Sequence, residues 1–132
     1  MSDEQTELVQ RLMKAWGKWD IETIVSCFHP DAELLLLRSF VEGDSYRGHD
    51  GVRRAVADAR ETWEAFQVEI GEFRTISDGL IGLGRTVVVG KSDAPTVEFQ
   101  SAYLVKFRDG KVVYLRPYQS HRAALEAAGL TK

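Results

Sequence analysis

The sequence predicts an α+β protein, a single domain over residues 1–132 in which a curved antiparallel sheet wraps over three N-terminal helices. Helical spacing of apolar residues dominates the first half of the chain, and alternating strands run together in the second half. Segregated helices and strands are typical of the α+β class. In addition, residues 97–119 carry Asp109-Gly110 between two runs rich in β-branched and aromatic residues, which indicates a long β-hairpin.

Composition excludes several classes of partner. The 132 residues are 44% hydrophobic and 28% charged, as in ordinary globular proteins, and the chain is long enough to bury a core. A net charge of -3 without a basic patch argues against nucleic acid and against an anionic membrane surface. The acidic opening MSDEQTE is not typical of a signal peptide, and Cys27 as the single cysteine excludes an internal disulfide. We therefore expect a cytoplasmic location.

Three helices are predicted before the main strands. Apolar residues recur every three or four positions over residues 4–19, which predicts an amphipathic helix. Asp20 is placed to cap a short second helix, and the sequence HPD at 29–31 ends it. A third helix opens at GHDG, residues 48–51, and its apolar stripe includes Ala59 and Trp63.

Strands are predicted at residues 32–37, buried on both faces, and at 66–76 and 80–90, before the hairpin. Gly82 and Gly84 lie inside a strand with no phosphate-binding helix after them, so we exclude a nucleotide loop and expect a bend or bulge there. Ser120 is placed to cap a final helix, which Gly129 closes.

The hairpin turn decides which side chains share a face. A two-residue loop places Tyr103 opposite Arg116 and gives it a polar face with Tyr118, whereas a three-residue loop places it opposite Leu115 and gives it an apolar face. Sequence physics alone leaves both registers open. In either case a curved sheet over helices encloses a cone-shaped cavity, and such cavities are mostly apolar with a few polar groups.

Four segments in this element order carry a resemblance to a known family: HPD at 29–31, YRGHDGV at 46–52, FRDGKV at 107–112 and ALEAAGL at 124–130. Together they resemble the SnoaL-like branch of the NTF2-like superfamily, which includes ketosteroid isomerases, polyketide cyclases and limonene epoxide hydrolase. The resemblance covers nearly the whole chain. It implies a cone-shaped, cystatin-like α+β barrel, a hydrophobic pocket between sheet and helices, and a homodimer through the outer sheet face.

The resemblance also assigns positions to the family's catalytic groups. The isomerase base on the first strand corresponds to Leu36, which cannot accept a proton, and the isomerase acid on the penultimate strand corresponds to Tyr103, which keeps a hydroxyl donor. The arginine of the epoxide hydrolase matches Arg85, but Val87 stands where its acid belongs. The cyclase acid falls near His121, which would substitute as a base.

The resemblance favours the longer hairpin register, with Tyr103 facing the pocket, and thereby predicts a set of site residues. Tyr103 and His121 are the predicted catalytic residues. The predicted pocket-lining residues are Trp16, Leu34, Leu36, Arg38, Trp63, Arg85, Ser101, Leu115, Pro117 and Gln119. No cofactor or metal is predicted, since the three histidines are scattered. The expected ligand is a small hydrophobic molecule. The activity is either that of an isomerase, cyclase or hydrolase on a carbonyl or ring-bearing substrate, or that of a non-catalytic ligand-binding or dimerisation module.

Overall fold

The computed structural model describes residues 2–36, 45–92 and 94–130. Its helices are Ser2–Gly17 (α1), Ile21–Ser26 (α2), Gly48–Thr62 (α3) and His121–Ala127 (α4). Its strands are Phe28–Leu34 (β1), Tyr46–Arg47 (β2), Trp63–Ile76 (β3), Gly79–Gly90 (β4), Thr96–Arg108 (β5) and Lys111–Tyr118 (β6). Within these ranges no helix is long and apolar enough to cross a membrane.

The strands form one curved, open sheet in the order β2-β1-β6-β5-β4-β3. Neighbouring strands are antiparallel except for β1 and β6, which run parallel. The predicted α+β class and curved sheet are confirmed. The predicted caps are also present: Asp20 Oδ1 accepts a hydrogen bond from Thr23 N, Ser120 Oγ accepts one from Ala123 N, and Gly129 closes α4 at φ +75°.

The first strand differs from its prediction. It begins at Phe28 and ends at Leu34, so it includes the HPD segment that was expected to precede it, and it leaves Leu36 outside. Backbone bonds to β6 explain this start, because Val112 N donates to Cys27 O at 2.9 Å. Pro30, which has no N–H, lies where the register between β1 and β6 is irregular, so its missing donor breaks no regular ladder.

The hairpin combines features of both predicted registers. Asp109 and Gly110 have φ of +55° and +76°, which is typical of a two-residue type I′ turn, and Arg108 lies opposite Lys111. Farther from the turn the register changes between Lys106 and Phe107.

This change in register is a β-bulge at Val113, because Lys106 pairs with Tyr114 whereas Phe107 pairs with Val112. One extra residue flips the alternation, so Tyr103 lies opposite Pro117, where neither simple loop would have put it. The turn is thus the shorter one, while Tyr103 still shares a face with Pro117, as the longer register implied.

The two faces of the sheet carry separate apolar clusters. We call the face that bears Tyr103 the concave face, and helices α1, α2 and α3 contribute to the main core that packs on it. The opposite, convex face is partly covered by α4, whose Ala124 packs against Ile81, Leu83 and Leu104. The concave face of the sheet therefore faces the helices and the main core, and the convex face is exposed to solvent where α4 does not cover it.

Candidate functional site

A cavity of about 360 Å³ lies between the concave face and the helices. Aromatic side chains form much of its wall, and the rings of Trp16 on α1 and Phe66 on β3 stand 6.4 Å apart between centroids. Helix residues line one side because α1 and α3 point their apolar stripes at the sheet. The lining residues are Leu12, Met13, Trp16, Leu34, Leu35, Leu36, Ala59, Thr62, Trp63, Phe66, Val68, Val88, Phe99, Tyr103, Leu115 and Pro117.

Tyr103 places a buried hydroxyl in this wall. Its side chain is buried at 8% exposure, and its hydroxyl lies 3.0 Å from Thr86 Oγ1. Burial raises the pKa of the Tyr103 phenol, while the neighbouring hydroxyls of Thr86 and Ser101 lower it by a smaller amount. The phenol is therefore neutral at physiological pH and can either donate or accept a hydrogen bond.

A pair of buried hydroxyls stands next to Tyr103. Thr86 on β4 and Ser101 on β5 are 0% and 1% exposed, and Thr86 Oγ1 donates to Ser101 Oγ at 2.8 Å. Buried polar groups are costly unless they are paired, and these two satisfy each other across adjacent strands. The sequence prediction missed Thr86, although a threonine inside the apolar strand LIGLGRTVVVG was a signal for a buried hydroxyl.

The structure brings seven of the predicted site residues to the cavity. Besides Tyr103, they are Trp16, Leu34, Leu36, Trp63, Leu115 and Pro117. Ser101 is buried and hydrogen-bonded to Thr86, and it does not line the cavity. Gln119 is exposed, since it follows the end of β6. Arg38 lies outside the described residues.

His121 requires a correction, because it lies on the other side of the sheet from Tyr103. It begins α4, which packs on the convex face, and its backbone N donates to the side chain of Gln100 at 2.7 Å. Its Nε2 lies 2.8 Å from the carbonyl oxygen of Gly84, a strand backbone atom. The geometry therefore does not support His121 as a base for a ligand that Tyr103 contacts.

Arg85 requires the same correction. Strand alternation turns it to the convex face, since its neighbour Thr86 points to the concave face. There it is 52% exposed, and its guanidinium contacts the carboxylates of Glu69, at 2.9 Å, and Glu98. These carboxylates raise the pKa of Arg85. An arginine in this position belongs to a surface ion pair network, outside the cavity.

The cavity wall limits the chemistry that the site can perform. Among the described residues that line it, there is no Asp, Glu, His, Lys, Arg or Cys side chain. General acid-base catalysis needs an acid or base within hydrogen-bond reach of the substrate, and among the described lining residues Tyr103 is the side chain of a type that serves this role. Over residues 2–36, 45–92 and 94–130 there is also no cluster of three or more side chains suited to hold a metal ion. The arrangement is suited to enclosing an apolar molecule and giving it a hydrogen bond.

Comparison with known families and structures agrees with this architecture. A family model for the SnoaL-like domain matches residues 9–115. No curated protein sequence matches the chain. Three solved structures illustrate how widely its fold is shared.

TerC co-crystallised with polyporic acid is 21% identical, with a TM-score of 0.77 over 96% of this chain and 98% of that one. A ketosteroid isomerase-like protein from Catenulispora acidiphila, in complex with trimethylamine, is 18% identical, with a TM-score of 0.76 over 95% and 94%. An LEH-like epoxide hydrolase from M. tuberculosis is 13% identical, with a TM-score of 0.73 over 96% and 90%. At these identities the likeness shows the fold alone.

Proposed function

The chain belongs to the SnoaL-like family, and from this premise we propose that its cavity binds a small hydrophobic, ring-bearing molecule. The Tyr103 hydroxyl is the polar contact in this proposal. The observation that carries it is the cavity of about 360 Å³ with a wall of aliphatic and aromatic side chains. Sites for small molecules are typically concave, mostly apolar and about 300–1,000 Å³ in volume.

The residues that line the cavity favour ligand binding without catalysis. The family's carboxylate positions hold Leu36 and Val87, and of these Leu36 lines the cavity as an apolar side chain. No described lining residue can accept a proton at neutral pH. A hydrophobic ligand would gain about 25 cal/mol for each Å² of apolar surface it buries there. The proposed ligand is held mainly by its shape and apolar area.

Titration with phenanthrene, an uncharged three-ring hydrocarbon, tests the binding proposal. We expect saturable quenching of tryptophan fluorescence, because Trp16 and Trp63 line the cavity. A dissociation constant of about 10 μM corresponds to roughly -7 kcal/mol, which a ligand of this size can reach. Quenching that rises linearly with phenanthrene, without saturation, would argue against a binding cavity.

Catalysis on a ring-bearing substrate is the second candidate, as in an isomerase, cyclase or hydrolase. The buried, neutral Tyr103 hydroxyl favours it, because such a donor in a dry site stabilises developing negative charge. If the protein turns over a substrate, Tyr103→Phe is expected to lower kcat by about 10²-fold. If the protein only binds, the same change lowers the affinity for a ligand that accepts a hydrogen bond from Tyr103 by about fivefold. Tyr118→Phe, on the convex face, is the matched control for both measurements.

A homodimer through the outer sheet face remains part of the proposal. Helix α4 covers part of the convex face, and the exposed group of Arg85, Glu69 and Glu98 lies outside that cover. Arg85→Glu would set three carboxylates side by side on each copy. We expect it to weaken self-association about tenfold or more in sedimentation equilibrium, whereas Arg122→Glu on α4 should not. Wild-type protein that sediments as a monomer at every concentration would contradict the dimer.

We propose a cytoplasmic location from the burial of one cysteine. Cys27 is fully buried and has no disulfide partner. Such a thiol behaves as a small hydrophobic side chain and needs no oxidising compartment.

A further inference from the structure

A groove of about 450 Å³ runs along the β3 edge of the sheet, beside the cavity. Four consecutive residues of β3, 67–70, line one side of it. Successive strand residues point to opposite faces of a sheet, so all four can line one groove only where it follows the edge of the strand. The other side belongs to the end of α1, where the lining residues are Gln10, Met13, Lys14, Gly17 and Lys18.

Strand β3 has a free edge in this groove. It is the last strand of the sheet, and no described strand pairs with its outer side. An edge strand directs half of its backbone N–H and C=O groups away from the sheet, and no backbone hydrogen bond among the described residues reaches those of β3. Val68 and Ile70 add half-buried apolar side chains to the groove. An extended peptide would pair with the backbone groups and cover the apolar ones.

Two β-bulges limit the length of a partner strand. The register of β3 against β4 shifts at Glu64 and again at Gly71, and each time β3 has one extra residue. Between them residues 65–70 pair regularly, over a length of about 20 Å. The groove residues 67–70 lie within this regular stretch. A partner can therefore add a strand of about six residues here.

The α1 side of the groove carries positive charge. Lys14 and Lys18 are exposed, lie four positions apart at the end of α1, and make no ion pair with a described residue. Arg11, three positions before Lys14, extends the same side of the helix. The carboxylate that lines the groove, on Glu69, already contacts Arg85 at 2.9 Å. Charge complementarity therefore favours an acidic partner.

The same charge argues against a second copy of this chain as the partner. Two β3 strands that pair edge to edge about a two-fold axis bring both α1 ends to one junction. Lys14 and Lys18 of each copy would then lie beside those of the other, and like charges placed together are unfavourable. The bulges at Glu64 and Gly71 would also shorten the paired stretch. A different chain fits this edge better.

We propose that this groove is a docking site for an extended, acidic segment of a partner protein, which adds a strand to the sheet beside β3. The backbone of that segment pairs with residues 65–70. Alternate side chains face α1, where apolar ones cover Val68 and Ile70 and acidic ones meet Lys14 and Lys18. This interaction goes beyond the function proposed for the cavity.

The peptide acetyl-ETVTVTE-amide tests the docking site. Its odd positions place valines and glutamates on one face, and threonines occupy the other. In an NMR titration we expect saturable shifts of the backbone amides of residues 65–70, with a dissociation constant of about 100 μM. Acetyl-KTVTVTK-amide, with the same strand-forming residues and the opposite charge, should bind at least about tenfold more weakly. Equal affinity for the two peptides would overturn the acidic chemistry, and no saturation by either up to about 2 mM would overturn the docking site.

Backbone methylation separates strand addition from simple attraction between charges. Alternate residues of a strand direct their N–H groups to opposite edges, so methyl groups on alternate nitrogens block one edge of the peptide only. One ETVTVTE peptide is methylated at the nitrogens of positions 3 and 5, and a second at positions 4 and 6. We expect one of them to bind at least about tenfold more weakly than the other, because a single edge faces β3. Equal affinities would overturn strand addition.

Lys14→Glu tests the charged side of the groove. It should lower the affinity for ETVTVTE about tenfold and raise the affinity for KTVTVTK. Arg60→Glu is the matched control, because Arg60 is likewise an exposed cation in the last turn of a helix, α3, and does not line the groove. The control should bind ETVTVTE within about twofold of wild type. Equal losses in the two variants would contradict the assigned groove.

Hydrogen exchange on the free protein decides between a partner segment and a second copy. The outward N–H groups of residues 65–70 should exchange fast at every concentration of wild-type protein and more slowly when ETVTVTE is added. Protection that rises with protein concentration, in the absence of peptide, would assign this edge to a second copy and overturn the proposal.

Discussion

Gly84→Ala is expected to destabilise the fold by about 3 kcal/mol, at the upper end of the cost of overpacking. An added Cβ at this position would stand 1.8 Å from the carbonyl oxygen of Glu69 and 2.8 Å from Ile70 Cα. Both are backbone atoms of the neighbouring strand β3, so no side-chain rotation relieves the clash. Strands β3 and β4 would have to separate, next to the point where their register shifts between Ile70 and Glu72.

Urea denaturation of wild type and variant measures this effect, with Gly71→Ala as the matched control. Gly71 lies on β3 beside the same irregularity, but an added Cβ there meets no atom within 4 Å. The control should change the free energy of unfolding by less than about 0.5 kcal/mol. Equal stability of the two alanine variants would contradict the close approach of the strands.

Ala59→Phe is expected to weaken phenanthrene binding about 100-fold. Ala59 is 6% exposed on α3 and lines the cavity, so a benzyl group in its place would occupy the space that the ligand needs. A loss of about 3 kcal/mol, from a binding free energy of roughly 7 kcal/mol expected for phenanthrene, corresponds to a change in affinity of about 100-fold. Stability should change by about 1 kcal/mol or less, because the lower helix propensity of phenylalanine is offset by new apolar contacts.

Ala123→Phe serves as the matched control, because Ala123 is exposed on α4 at the convex side of the sheet. It introduces the same side chain into a helix but away from the cavity. Phenanthrene titrations of both variants, alongside thermal unfolding, separate blocked binding from a damaged fold. Should Ala59→Phe bind phenanthrene as wild type does, the hydrocarbon occupies some other site and the proposed function loses its support.

Local signals in the sequence were sufficient for most of the elements. Asp20 and Ser120 marked helix starts because their side chains satisfy free backbone N–H groups at those positions. Glycines inside β4 were expected at a bend or bulge, and the register of β3 against β4 does shift between Ile70 and Glu72. The end of α3 was less clear, since Trp63 fits the helical stripe but begins β3. Apolar spacing alone does not separate a helix end from a strand start.

The candidate site was predicted in part. Once a register was assumed, the alternation of side chains along the last strand predicted that Leu115 and Pro117 face the cavity. The apolar stripe of the first helix predicted the same for Trp16. His121 and Arg85 were assigned to the cavity by analogy with relatives, yet both lie on the convex side. Phe66 and Phe99 line the cavity but were not among the predicted lining residues, although Phe99 shares its strand face with Ser101 and Tyr103. Only the pairing of strands determines which half of an alternating segment points inward.

The sequence by itself determined the α+β class, the helix caps, the place of the hairpin turn and the absence of an internal disulfide, because each depends on residues close together in the chain or on composition. It did not determine the length of the turn, which is the shorter of the two that the sequence allowed. The tertiary structure decided which face Tyr103 occupies. That face depends on a bulge at Val113, where a single extra residue reverses the alternation between strands. The meeting of Tyr103 with Thr86, which are 17 positions apart in the chain, likewise exists only after β4 and β5 have paired.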